Sequence, residues 1–502
     1  MFILLLYIAS FTSLAGWFLY KDDETKRRVL GSIFLLSFLG YTSSALIFSP
    51  ALTSTKSYLI NLLFLFGGNL ILNTFSNNKI VFGAMLLVAI SGYYYLNQQD
   101  TEHIAPVPKN LDPRGELFLK LSEGYQLAEL SDVLGRYELK TQRAFVVEDS
   151  EITELDDYYV IDIPEDKMNR YNQIVQDVRN SGLIDHLETN EQIQLDKPQN
   201  EQPVAPTVSK DFGINDPELD KLWGFEAMEV NLFYKFLKEK KAKPIRRAKI
   251  AIIDTGVDSK HEDLSANYVS TRTEYDTDLQ GHGTHCAGIA AAVSNNNRGI
   301  ASLAIAEGFV EVTSIKVFGS SGRTTQRTII NGMLLAADQG ADVLSMSLGG
   351  PSSDQSQLAY RETIDYVNAK GGIVIVAAGN ERTDAKKRVP AGLEGVITVS
   401  AIDEKRNLAS FSNYIQHVDM GIAAPGVRIY STVPNNSYKY FSGTSMATPY
   451  VAGLVGVVKS MKPNLGTKEV YELLQATGKD TKQPLKTGKL IHPLGIMQEI
   501  LK

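Results

Sequence analysis

The stretches Lys249-Ile250-Ala251-Ile252-Ile253 and Val374-Ile375-Val376-Ala377-Ala378 are apolar without alternation, so each reads as a strand buried on both faces. From Asn215 onward such runs alternate with helical stretches. Strands covered on both sides and separated by helices specify an α/β architecture with a parallel sheet. In open sheets of this kind functional groups collect at the carboxyl ends of strands, which directs attention to the residues just after each run.

The first run ends in IIDTGVD, with Asp254 at the strand end, although Asp before Thr-Gly is also ordinary turn chemistry. GHGTHCAG, residues 281–288, sets His282 between two glycines ahead of an alanine-rich helix. His282 and His285 are three apart and could share a metal on one helical face, but no carboxylate or cysteine set accompanies them. The second run ends in AAGN, with Asn380. SGTSMATPYVAG, residues 442–453, holds Ser445 where a loop turns into a helix, and a serine seen alone there is an N-cap. Pro449 is expected in the first turn of that helix, with Ala447, Ala452 and Gly453 allowing close packing beneath it. Asp254, His282 and Ser445 together change the reading. A serine hydroxyl is a poor nucleophile until a base takes its proton and a carboxylate fixes the tautomer of that base, and the chain order is Asp, His, Ser.

IIDTGVD, GHGTHCAG, SMSLGG (345–350), AAGN and SGTSMATPYVAG resemble, in this order, the signature motifs of subtilases, the subtilisin-like serine peptidases, over most of residues 215–502. The resemblance implies a subtilisin-like fold and peptide-bond hydrolysis through an acyl-enzyme. It makes Ser445 the nucleophile, His282 the general base, Asp254 its orienting carboxylate, and Asn380 with the Ser445 N–H the oxyanion donors. Ser345, Ser347, Leu348, Gly349 and Gly350 resemble the segment whose backbone pairs with an extended peptide or protein substrate. Asp263 in HEDL matches a calcium ligand of the family and residues 293–299 the accompanying loop, although the following GIASLA lacks the usual Ala-Pro. No cofactor is expected for the chemistry, and calcium only in a structural role. Cys286 is expected to pack, buried, beneath the base. In ERTDAKKRVPAG, Val389-Pro390-Ala391 resembles the base of the pocket for the side chain preceding the scissile bond, which puts Arg388 near a position often held by a small residue. A cation there would favour Asp or Glu; the other reading is a shortened surface loop with its basic side chains in water. The rival to an enzyme is a noncatalytic membrane-bound receptor or regulator that binds peptides with the same fold.

The rest of the 502-residue chain sets location and organisation. One cysteine excludes an internal disulfide and any CxxC metal site, and a net charge of −7 with no basic run interleaved with aromatics gives no nucleic-acid partner. Four apolar runs, 2–20, 29–48, 58–75 and 80–96, are uncharged and close to the ~20 residues of a membrane-spanning helix, so residues 1–97 are expected to form an all-α, four-helix transmembrane region. No Lys or Arg precedes Phe2, which argues against a secretory signal peptide. Lys21, Lys26, Arg27 and Arg28 follow the first run and make that loop cytoplasmic, which puts everything after Leu96 outside the cytoplasm. A linker (98–113) with Pro106, Pro108 and Pro113 leads to a small α+β domain (114–195). Residues 111–200 hold 20 acidic and 9 basic residues, and strands are expected at 117–119, 144–147 and 158–163 with a helix over 168–180. In size, position and βαββαβ-like alternation this domain resembles the subtilase propeptide, a permanent regulatory domain being the alternative. A second linker (196–214) precedes the peptidase domain (215–502), and any self-cleavage is expected between Leu187 and Asp211.

Overall fold

The computed structural model describes residues 10, 13, 14, 16, 17, 20, 22–48, 107–196, 199–200, 211–304, 308–351 and 357–502. The chain divides into two units, Met1–Pro106 and Val107–Lys502. In the first, the second apolar run lies on helix α1 (Glu24–Phe48), where Val29, Ile33, Leu35 and Leu36 are exposed. Two serines of α1 turn their hydroxyls onto the helix backbone: Ser32 Oγ donates to Arg28 O and Ser37 Oγ to Ile33 O, each four residues back. Among the described residues no helix is long and apolar enough to cross a membrane. The expected four-span region thus finds no counterpart here. The side chains of α1 are described only as far as Phe38, and most of run 2–20 and all of runs 58–75 and 80–96 lie outside the described residues.

In the second unit β1 (Leu117–Leu121), α2 (Ser131–Tyr137), β2 (Lys140–Arg143), β3 (Tyr158–Asp162), α3 (Tyr171–Arg179) and β4 (Ile184–Thr189) form an antiparallel sheet of order β2-β3-β1-β4 with two helices. Strand β1 is buried on both faces because each face has its own partner. Leu117, Leu119 and Leu121 meet Tyr137 of α2 and Tyr171, Ile174 and Val178 of α3. Phe118, with Phe145 and Tyr158, joins a core that includes Ile329 and Ile364 far along the chain. Lys120 is buried, held by Glu154 at 2.6 Å and Glu362 at 2.7 Å. The strand expected at 144–147 does not form. The ladder stops at Arg143 because Ala144 O turns away to accept from Arg327 Nε and Asn331 Nδ2, each at 3.1 Å, and Val146 is left exposed.

Two short strands, β5 (Gln192–Gln194) and β6 (Gln199–Asn200), lead into the larger α/β part. There β7 (Ala248–Asp254), α4 (His282–Ala291), β8 (Val310–Lys316), β9 (Arg323–Thr325), α5 (Gln326–Asp338), β10 (Val343–Met346), β11 (Gly350–Pro351), α6 (Leu358–Ala369) and β12 (Ile373–Ala377) follow in order. They are succeeded by β13 (Arg388–Val389), β14 (Val396–Ile402), β15 (Gly421–Pro425), β16 (Ile429–Val433), β17 (Ser437–Ser442) and α7 (Thr444–Met461). Six strands make one parallel sheet of order β15-β14-β12-β10-β7-β8. Ile250, Ile252, Ile373 and Ile375 face Ala287 and Ala290 of α4 and Val451 and Val455 of α7. Ala251, Ile253, Val374 and Val376 face Ile329 and Met333 of α5 and Ile364 and Val367 of α6. Helices on both faces are the reason these runs carry no polar alternation.

Helix α7 is buried along its whole length, and Gly453 brings it against α4: a Cβ there would stand 2.7 Å from Ala290 O. Pro449 is the sixth residue of α7, one turn later than the sequence suggested. Its missing N–H leaves Ser445 O without the usual donor four residues on, and that carbonyl accepts instead from Ser347 Oγ at 2.8 Å and Cys286 Sγ at 3.4 Å.

The small domain is joined to the sheet by a buried carboxylate. Glu188 Oε2 accepts from Leu358 N at 3.0 Å and Oε1 from Ala359 N at 3.3 Å, the first two residues of α6. Glu188→Ala strands these donors at a cost of about 1–3 kcal/mol. The urea midpoint of the full chain should fall accordingly, with Glu188→Gln losing less; an unchanged midpoint for Glu188→Ala would contradict this account.

Candidate active site

The residues expected to carry the chemistry lie at the carboxyl edge of the parallel sheet. Asp254 is the last residue of β7, His282 the first of α4, Ser347 follows β10, Asn380 follows β12, and Ser445 is the second residue of α7. Ser445 is not the N-cap, which is Gly443. The approach of α4 to β7 needs Gly283, where a Cβ would stand 2.1 Å from Gly256 O and 3.2 Å from Asp254 Cβ.

His282 Nδ1 donates to the Asp254 carboxylate, at 2.8 Å from Oδ1 and 2.9 Å from Oδ2. Both residues are buried, and Asp254 Oδ1 also accepts from Thr255 N at 2.7 Å. The turn into α4 is fixed by Asp278, a residue its sequence context did not reveal. Asp278 Oδ1 accepts from Thr255 Oγ1, Gln280 N and Gly281 N, and Oδ2 from Thr284 N and Oγ1, all at 2.8–3.0 Å. Burial disfavours the imidazolium of His282, but the charge and hydrogen bond of Asp254, with Asp278 and Asp196 behind, hold it above the ordinary histidine range. His282 Nε2 is buried and without a hydrogen-bond partner. Ser445 Oγ donates to Ser347 O at 3.3 Å. Asn380 Oδ1 accepts from Thr444 N at 2.9 Å and Thr444 Oγ1 at 3.0 Å, which turns Nδ2 to the opposite side, where it donates to Asp196 Oδ2 at 3.2 Å.

His285 does not join His282 as a metal pair. Its Nε2 donates to Lys439 O at 3.0 Å, its ring stacks on Phe441, and burial lowers its pKa to about 3. Asp254, His282 and Cys286 do bring one ligand atom each within 4.8 Å of one another. The Cys286 thiol is wholly buried, however, and burial pushes its pKa far up, so it is held as a protonated donor rather than a thiolate ligand.

Beside the segment Ser345–Gly350, the chain's own strand β5 pairs with β9. Gln192–Gln194 of β5 pair antiparallel with Arg323–Thr325 of β9, and Leu195 N donates to Gly322 O at 2.9 Å. Ile193 leans on Gly350, where a Cβ would stand 3.2 Å from Ile193 Cγ1. Leu348 is buried, Ser345 Oγ is buried without a partner, and Gly350 pairs with Val389 across β11 and β13. Farther along, β6 pairs antiparallel with Phe441 and Ser442 of β17, just ahead of Ser445. Arg388 is not a surface-loop side chain: it is 14% exposed, its Nη2 lies 2.9 Å from Glu381 Oε1, and its Nε is buried without a partner. Burial and then Glu381 push the Asp196 carboxyl up, against Arg388, the Asn380 hydrogen bond and His282. Gly322, β9 and Glu381 carried no motif by which the sequence could have assigned them to the cleft.

Asp263 lies away from this edge and is wholly buried, accepting from Asn296 Nδ2 and Ile300 N, each at 2.8 Å. Burial pushes its carboxyl up to about 7. Asp216, in its electrostatic field and also buried, accepts from Asn295 N and Asn296 N. Two buried carboxylates around one asparagine-rich loop form an oxygen donor set that fits a divalent cation such as calcium.

The state of Cys286 gives a direct test. Iodoacetamide should leave this residue unmodified in the folded chain and alkylate it after denaturation, as read by peptide mass spectrometry. Rapid native modification would show the thiol to be accessible and ionised.

Comparison with known proteins gives the family. The profile of the Subtilase family matches residues 246–491. Thermitase of Thermoactinomyces vulgaris is 44% identical over 218 residues, covering 42% of this chain and 75% of thermitase. Subtilisin DY of Bacillus licheniformis is 39% identical over 248 residues, covering 48% of this chain and 87% of that protein. Among solved structures, a protease of Pseudoalteromonas arctica superposes with a TM-score of 0.50 at 25% identity, covering 57% of this chain and 99% of that one. The chain belongs to the subtilase family and is a serine endopeptidase.

Proposed function

We propose that the chain is a membrane-anchored endopeptidase that hydrolyses peptide bonds outside the cytoplasm, with Ser445 as nucleophile, His282 as general base, Asp254 as its orienting partner and Asn380 as oxyanion donor. The observation that carries the catalytic assignment is His282 itself. One ring nitrogen is fixed on a buried carboxylate and the other is buried without a partner, at the strand edge that also bears Ser445. In this reading Nε2 takes the Ser445 proton as Oγ attacks the carbonyl carbon, and then returns it to the departing amine. Charge developing on the carbonyl oxygen is met by Asn380 Nδ2, held in place through Thr444, and by the N–H groups and dipole at the start of α7. The small domain acts as a propeptide, and its β5 strand is laid along the cleft edge in the manner of a substrate. A calcium ion would be held by Asp216, Asp263 and the oxygens of loop 293–299, where it would keep two buried carboxylates ionised and stabilise the fold without entering the chemistry. Membrane attachment is supported by the exposed apolar side chains and backbone-bonded hydroxyls of α1.

Ser445→Ala should abolish cleavage of an unstructured protein substrate, Asp254→Asn should lower kcat on the order of 10⁴-fold, and Asn380→Ala about 10²- to 10³-fold. A Ser445→Ala protein that retains wild-type turnover would refute the assignment. Because neutral imidazole is the base and its pKa is raised, cleavage should fall off as pH drops through a value above 6.5, the ordinary histidine value.

Calcium at about 100 times its Kd should stabilise the chain by roughly 2.7 kcal/mol, seen as a higher melting temperature that chelation reverses and Asp263→Asn removes. No calcium response in wild type would count against the site. A reporter active only outside the cytoplasm should be on when fused after Leu96 and off when fused within 21–28; the reverse pattern would overturn the location.

A further inference from the structure

We infer that this peptidase selects an acidic residue immediately before the bond it cuts, that Arg388 is the selecting group, and that Asp196 is the chain's own residue in that position. The inference rests on the endopeptidase reading above and specifies its substrate class.

Two pairings locate the register. The chain enters the cleft along β9, with Gln194 opposite Arg323 and Leu195 N on Gly322 O, and leaves it along β17, with Gln199 opposite Ser442. Both are antiparallel strand additions, the mode by which an extended substrate is held through its main chain while side-chain pockets discriminate. Asp196 follows directly on the first pairing, and its carboxylate reaches Asn380, the side chain assigned to the oxyanion. The first pairing thus leads to Asn380, and the second lies at Ser442, just ahead of Ser445.

The surroundings of Asp196 are charged in a particular way. His282 and Arg388 favour a carboxylate there, and Glu381 opposes it. Glu381 does not use up the guanidinium. It engages Nη2, whereas Nε–H is buried and has no acceptor, and the side chain lies against Gly379, which leads into Asn380. An arginine has five donors in a planar fork and can serve two carboxylates at once. A leucine beside it would leave a buried donor unpaired, and a lysine would meet like charge.

Cleavage at this point breaks the C–N bond on the carboxyl side of residue 196. Ser445 Oγ bonds to the carbonyl carbon, its proton passes by way of His282 to the leaving amine, and water hydrolyses the resulting ester. A charge-assisted hydrogen bond from the Arg388 Nε–H to a substrate carboxylate would correspond to a preference of roughly 10- to 100-fold.

The test uses the full chain with matched peptides carrying Glu, Asp, Leu or Lys before the scissile bond. Wild type should cut the acidic peptides roughly 10-fold or more faster than the leucine peptide and the lysine peptide slowest, and Arg388→Gly should level the acidic-to-leucine ratio. If Arg388→Gly fails to accumulate, Arg388→Gln carries the same comparison. Mass spectrometry of the self-processed chain should show a fragment ending at residue 196, made more slowly in Asp196→Lys and retained in Asp196→Glu. A wild type that cuts leucine as fast as glutamate, or a ratio untouched by loss of Arg388, overturns the selection; a fragment ending elsewhere overturns the placement of Asp196. Leucine cleavage that Ser445→Ala abolishes would leave the endopeptidase reading standing while the acidic selection falls. Cleavage undiminished in Ser445→Ala would bring down the endopeptidase reading itself.

Discussion

The contact between Asp254 and His282 joins the end of a buried strand to the start of a buried helix. Its geometry depends on backbone approach before it depends on side chains. Gly283 lets α4 come within reach of the Gly256 carbonyl, and five hydrogen bonds to Asp278 fix the turn that aims the imidazole. With water excluded, the carboxylate acts at short range in a medium of low polarity, and so it outweighs the desolvation that would otherwise keep the ring neutral. The sheet, α4 and α7 can be regarded as the support that keeps this one pair dry and correctly oriented.

The small domain is strongly acidic, yet its docking uses little of that charge. Glu123, Glu129, Asp132 and Glu151 are exposed, which is where unpaired carboxylates belong. The attachment is local. Glu188 accepts from the first N–H groups of α6, while Asn190 Oδ1 accepts from Arg327 N and Glu191 O from Gln326 N at the start of α5. Two helix N-termini, each with a positive dipole end, thus receive oxygens from residues 188, 190 and 191, at and just beyond the end of β4. The buried Lys120, facing Glu362 of α6, adds a charge pair whose loss would leave carboxylates without a counterion. Through this docking β5 is brought to the cleft edge in register.

Much of the fold was legible because it is written in local pattern. Unbroken apolar runs gave the parallel strands, and the 171, 174, 178 spacing gave α3. The motif residues proved to lie on one edge because strand ends in such a sheet share an edge. What could not be read depends on contacts far along the chain. Ala144-Phe145-Val146-Val147 has strand composition, but its first carbonyl is taken by Arg327 and Asn331, nearly two hundred residues later. Asp278, Glu381 and Arg323–Thr325 are ordinary residues until folding places them. The four apolar runs at the start posed the opposite difficulty: their composition was plain, but most of the first and all of the third and fourth lie outside the described residues.

Ser445 shows why the motifs had to be read as a set. Pro449 removes the N–H that would have closed on the Ser445 carbonyl, so that carbonyl is available to groups outside the helix. Ser347, from the segment after β10, and Cys286, from α4, both donate to it. The Ser445 hydroxyl in turn donates to Ser347 O, so Ser445 and Ser347 are tied reciprocally, through side chain and backbone in each direction. The proline of SMATP, the second serine of SMS and the cysteine of THCAG, which look unrelated in the sequence, therefore serve one end: holding the second residue of α7 at a fixed height above the sheet. A serine that must meet both an imidazole and a carbonyl carbon needs its backbone fixed from outside its own helix, since the first turn of a helix is the part least held by internal hydrogen bonds.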